Sequence, residues 1–200
     1  ETCSMGRLDV GLEAWTWVAC LTVTVTASPA PTPVQASYTY ATTITDGVPD
    51  FVDLSNFTGA TALSLSDDSV SSALPIGFSF TFFSQAYSSV YVSSNGFVSF
   101  ALSSSGCCSG QVLPNSASPN GLIAGCWEDL DPPEGGEVLY ATVGTSPNRE
   151  FIVHFHDIEH YPSGNPVDFQ IALKEQDMGF EIRHKTLAGN GGDHPGGGGG

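Results

Sequence analysis

The sequence predicts an all-β fold: an antiparallel, jelly-roll-like β-sandwich preceded by an N-terminal extended strand or arm. Three observations predict it. Apolar residues alternate with polar ones through the stretch 74–100 (LPIGFSFTFFSQAYSSVYVSSNGFVSF), at Ile76, Phe78, Phe80 and Phe82, then Val90 and Val92, then Phe97 and, one step out of phase, Val98 and Phe100. Period-two alternation places one face of a sheet in a core and the other in water. Helix formers are scarce while Ser, Thr, Val, Phe, Gly and Pro abound, a turn-rich β composition. Turn residues separate the apolar runs, above all Ser94-Asn95-Gly96, where Asn-Gly supplies the positive φ of a two-residue hairpin.

The elements follow in order. Residues 15–27 alternate, with Trp15, Trp17, Ala19, Leu21, Val23 and Val25 on one side. A segment with Pro29, Pro31 and Pro33 comes next and is expected to be extended and stiff. Further strands are expected at 38–44, 62–65, 136–143, 150–158, 168–174 and 179–185, separated by turn-forming stretches at 46–47, 115–120, 132–135, 146–148 and 163–166. The organisation is then an arm at 1–36, a sandwich at 37–193 and a Gly-rich tail at 194–200.

Two hundred residues suffice for one sandwich with a substantial core. The formal charge is −16, and no Lys or Arg lies between Arg7 and Arg149. Such a balance opposes nucleic-acid binding and adhesion to anionic membranes, and it favours cation recruitment. No run of about 18 apolar residues exists, so no membrane insertion is expected. The apolar centre at 15–25 reads as part of the mature chain, because Asp9 and Glu13 precede it beside a single Arg7, where a secretion signal wants positive charge.

The stretch 74–100 resembles the core signature of nidogen-like β-sandwich modules of secreted and bacterial surface repeat proteins. Downstream blocks resemble the family in the same order: Pro119-Asn120-Gly121-Leu122-Ile123-Ala124, then Trp127-Glu128-Asp129-Leu130-Asp131-Pro132, then Gly136 to Tyr140, Thr145 to Arg149, and the strands that follow. The resemblance covers roughly 38–193. It implies a secreted or cell-surface adhesion or assembly module, and it brings no catalytic residue. In related modules a further apolar strand follows the Gly-rich turn near 189–192; here glycines stand in its place.

In that extracellular setting Cys3, Cys20, Cys107, Cys108 and Cys126 read as disulfide formers. The simplest pairs are Cys3 with Cys20 and Cys126 with Cys107 or Cys108. The odd cysteine is then free or bridges to another chain.

Several residues are candidates for chemistry. His154, His156 and His160 form H-x-H-x-x-x-H at a strand end, and imidazoles at i and i+2 share a strand face, a pattern suited to zinc or copper. The plainer reading is a polar outward face with Val153 and Phe155 in the core. Glu128, Asp129, Asp131 and Glu134 form the best calcium candidate, with other acids at Asp46, Asp50, Asp53, Asp67 and Asp68. Trp127 reads as core. Asn56-Phe57-Thr58 is a glycosylation sequon, and Ser/Thr-rich tracts could carry O-glycans. No Gly-x-Ser-x-Gly elbow and no phosphate loop occur.

The expectation is a non-enzymatic extracellular structural module, a self-assembling subunit of a surface fibre in which the 15–27 strand is donated between neighbours; the plainer reading is that this strand folds back into its own sandwich as an ordinary first strand. Its expected partners are copies of itself, with glycans secondary; no cofactor other than calcium is expected. Two alternatives stand beside it: a monomeric carbohydrate- or protein-binding adhesion module, and a metal-dependent enzyme at the three histidines.

Overall fold

A computed structural model describes residues 22–27, 38–43, 50–102, 110, 116–162 and 164–187. Eleven strands form two antiparallel sheets, with no α-helix among the described residues. They are β1 (Thr22–Ala27), β2 (Tyr38–Thr43), β3 (Thr61–Leu63), β4 (Leu74–Phe82), β5 (Gln85–Ser93), β6 (Phe97–Ser99), β7 (Leu122–Ala124), β8 (Glu137–Val143), β9 (Glu150–Ile158), β10 (Val167–Lys174) and β11 (Phe180–Leu187). The larger sheet has the order β2-β1-β11-β10-β9-β8-β3 and the smaller the order β4-β5-β6-β7. The expected all-β antiparallel sandwich is the observed one.

The sheets close on the alternation read from 74–100. Ile76, Phe78, Phe80 and Phe82 of β4 are buried against Phe151, Val153, Phe155, Phe169 and Ile171 of the facing sheet. Burying each such side chain stabilises by about 1.5–3 kcal/mol. The phase slip at Phe97 has a cause. All of β6 is buried, with Val98 in the main core and Phe97 on the other side, 5.1 Å from the ring of Trp127.

Three local readings are corrected. The turn after β5 pairs Ser93 with Phe97 and so has three residues, and of these only Gly96 has positive φ, at 80°. An added Cβ at Gly96 would sit 1.8 Å from the Cys126 carbonyl oxygen, so glycine is required for backbone contact as well as for the turn. Leu122–Ala124, quoted above only as part of a family block, is a strand. The 15–27 strand was expected as a donated strand or as one docked in its own sandwich; its described part, β1, is docked here, as the neighbour of both β2 and β11 in the chain's own sheet. Finally, the outward face of β9 is not wet. β2 and β3 lie at opposite edges of the larger sheet, and the described part of the connection between them, residues 50–60, packs over its outer face. Leu54 of that strap is 1% exposed and packs with Leu139, Ala141, Ile152 and Ala172 in a second, smaller core.

Candidate functional site

Three places bear on function. The first is the seat of β1 on β11. Thr22, Val23, Thr24 and Val25 pair with Arg183, Ile182, Glu181 and Phe180. Beside this seam lies a buried ion cluster that the sequence reading missed. Arg183, 1% exposed, donates from Nε and Nη2 to Glu181 and from Nη2 to Glu150 at 2.9 Å. Lys174 donates to Glu181 Oε1 at 2.8 Å. Burial raises the Glu181 carboxyl, but the bonds from Lys174 and Arg183 outweigh it and hold the group below its usual range. The residues of 15–21, which include Trp15, Trp17, Ala19 and Leu21, lie outside the described residues, as do Cys3, Cys20, Cys107 and Cys108. Cys126 is 1% exposed and disulfide-bonded.

The second place is under the strap. His154 and His156 share a face as expected, but His160 is elsewhere, its Nδ1 against the Asn165 carbonyl oxygen at 2.8 Å. His154 is fully buried with both ring nitrogens engaged. Its Nδ1 accepts from the Leu54 N–H at 3.3 Å, which leaves the Nε2 proton to meet Asp168 Oδ1 at 2.8 Å. His156 Nδ1 and Lys185 Nζ reach the other Asp168 oxygen at 3.3 and 2.8 Å. Burial raises Asp168, yet the bonds from His154 and Lys185 bring it below its ordinary value. Asp53, which caps the 3-10 turn Leu54–Asn56, is lowered to about 2, mainly by the Ser55 hydroxyl. Gln170 holds the strap by its amide, accepting from the Val52 N–H and donating to the Val52 carbonyl. Asp53, His154 and His156 bring possible ligand atoms within 4.8 Å of one another, as do His156, Asp157 and Asp168. A metal there would have to displace a bond that already holds His154 or Asp168. Asn56 is exposed, with its Nδ2 bonded to Asp53.

The third place is one end of the sandwich, where two loops meet at the three-residue turn. The 66–69 loop docks by Ser94 N–H to the Ser69 carbonyl at 2.9 Å and Ser69 N–H to Ser94 Oγ at 3.0 Å. Asn95, fully buried, donates to Asp68 Oδ1 at 2.7 Å and accepts from the Leu130 N–H at 3.0 Å. Asp129 and Asp131 flank the buried Leu130, with Asp129 O accepting from Tyr161 N–H and Asp131 N–H donating to Glu159 O. Ligand oxygens of Asp67, Asp68 and Asp129 lie within 4.8 Å of one another. Asp131, 7% exposed, is raised by burial first and then by the charges of Asp67, Glu134 and Asp68. Of the four expected calcium candidates, Asp129 is thus gathered with Asp67 and Asp68 from another loop, while Glu128, Asp131 and Glu134 are not in the close group.

Fold and sites together define an antiparallel β-sandwich module whose polar clusters pin loops to a rigid frame. The chain belongs to the NIDO-related family: that family's model matches residues 37–195. No curated protein and no solved structure matches the chain. β1 lies before the matched span yet shares its sheet.

Proposed function

We propose that this chain is a non-enzymatic, extracellular structural module that assembles with copies of itself by exchanging β1. The observation that carries this reading is the β1–β2 seam. Ala27 pairs with Tyr38, so the chain must reverse between them. The intervening sequence carries Pro29, Pro31 and Pro33 and favours an extended path. A hinge that prefers extension favours delivering its strand to a neighbour, and a neighbour's β1 can take the same seat on β11 in the same register. Such head-to-tail contacts propagate unless they close into rings.

Two further points support it. The family is nidogen-related, a kind of structural module. The His154–Asp168 pair is engaged on both sides beneath a strap and serves packing. No helix among the described residues is long and apolar enough to cross a membrane.

Light scattering across a wide concentration range tests the assembly, with a second preparation lacking residues 1–27. The expected result is concentration-dependent oligomers for the full chain and monomers for the truncation, which an added peptide of residues 15–27 binds. A full chain that stays monomeric, or a truncation that still polymerises, overturns it.

A further inference from the structure

We propose that Asn56, on the strap over the larger sheet, is an N-glycosylation site at which an oligosaccharide is joined to Nδ2 as the chain passes along a secretory route. The inference rests on the extracellular part of the reading above and is independent of β1 exchange.

The sequence narrows the choice first. Of the seven asparagines, only Asn56 is followed by a residue other than Pro and then by Ser or Thr. Such triplets also arise by chance, so what decides is where the fold puts this one. It lies on the outward side of the strap. Leu54 is buried in the second core with Val52 and Ala60 packed against it, while residues 55–59 are all exposed. Two successive turns build this arch: the Phe57 N–H donates to the Leu54 carbonyl at 3.2 Å, and the Ala60 N–H donates to the Phe57 carbonyl at 2.9 Å. Asn56 and Thr58 flank the residue that the turns share. The amide and the hydroxyl of the triplet therefore sit together on surface backbone outside the sheet ladders, where a bulky carrier can reach them.

The folded chain also has room for the product. A glycan is bulky and hydrated and needs a solvated exit. Asn56 Nδ2 carries two hydrogens and donates to Asp53 Oδ2 at 3.0 Å and to Ser55 Oγ at 3.2 Å. Glycosylation replaces one hydrogen and keeps the other. The turn survives the loss, because Asp53 Oδ1 still accepts from the Ser55 N–H and hydroxyl at 3.0 and 2.6 Å. The bonds that fasten the strap to the sheet, between Val52 and Gln170 and from the Leu54 N–H to His154, do not involve Asn56.

The co-substrate is a lipid-pyrophosphate-linked oligosaccharide. A bond forms between Asn56 Nδ2 and C1 of the first sugar, and the bond from that C1 to the pyrophosphate oxygen breaks. The Nδ2 proton goes to a base of the transferase, and the lipid pyrophosphate departs. Phe57, next to the attachment point, is 41% exposed. A glycan beside it makes the strap hydrophilic and keeps the outer face of the larger sheet from packing on a neighbour.

The full chain, sent through the secretory route of a eukaryotic cell by an added signal peptide, tests the site. The expected product migrates more slowly, and peptide N-glycosidase restores its mobility and leaves an aspartate at position 56. Thr58→Ala should lose the shift and Thr58→Ser should keep it, both at an exposed position with Tm close to the parent's. Hydrogen exchange at residues 52–54 should be as slow in the glycosylated parent as in Thr58→Ala. A bare Asn56 in the parent overturns the proposal, as does a shift that persists in Thr58→Ala or a strap loosened by the glycan. The Cys126 disulfide reports on the extracellular reading separately. A chain that forms it yet leaves Asn56 bare overturns the modification alone. A chain modified at Asn56 with Cys126 reduced counts against the extracellular reading and leaves the site standing.

Discussion

Asn95 accepts the Leu130 N–H on its Oδ1 at 3.0 Å while both residues are fully buried. One side chain on the turn after β5 thereby fixes the segment that follows β7. Asn95→Ala strands that N–H and removes the amide's bond to Asp68. Leaving a buried donor unpaired costs about 1–3 kcal/mol. The urea midpoint should fall accordingly, with the slope unchanged; an unshifted midpoint would show that water replaces the amide.

Gly96 offers a sharper case. Its φ of 80° strains any L side chain, and its added Cβ would collide with the Cys126 carbonyl. Gly96→Ala should destabilise by more than about 3 kcal/mol, because backbone on both sides must move. Expression as a soluble, cooperatively melting protein with a near-parental Tm would contradict this.

Arg149 grips Glu175 through Nε at 2.8 Å and Nη2 at 2.6 Å, and its Nη1 donates to the Gly77 carbonyl of β4 at 2.7 Å. The hydrogen bond from Arg149 is the main reason Glu175 falls from 4.5 to about 2. A carboxyl lowered on folding contributes stability that is present above its unfolded value and lost as pH falls towards its folded one. Glu175→Gln should therefore melt below the parent at pH 7, with the gap closing between about pH 4.5 and pH 2. A gap independent of pH would assign the effect to packing.

The strap over the larger sheet should loosen separately from the sandwich. Gln170→Leu removes both amide bonds to Val52. Hydrogen exchange should quicken at residues 52–56 while β9 and β10 stay protected, since strap and strands are distinct local units. Equal acceleration in β9 would mean that strap and sheet open as one.

Much of the framework was legible because its signals are local. The alternation of Ile76, Phe78, Phe80 and Phe82 named the core face of β4, and Glu150–Ile158 has the bounds read from sequence. β7 escaped because three residues carry no period. The strap escaped because Val52 and Leu54 sit in no repeating pattern, and their partners lie far along the chain in β9 and β10. Arg183 and Glu181 share a face of β11 at i and i+2, but the partners that complete their buried cluster, Lys174 of β10 and Glu150 of β9, come from other strands and carry no local signal. The acidic site was half visible. Asp129 could be named from one loop and Asp67 and Asp68 from another, but their meeting depends on a tertiary bond from Asn95.

β1 has a neighbour that emerges last. On the ribosome, β1 and β2 are made long before β11, the strand that supplies the other half of β1's hydrogen bonds. Until then the newborn chain carries a naked strand edge, and long-range closure of this kind is slow. If β1 is exchanged as proposed, timing sets a contest between a chain's own β11 and any completed β11 nearby. Crowding of nascent chains should then tip that contest towards the neighbour, so that the rate of synthesis, and not only affinity, would govern how many copies end up linked.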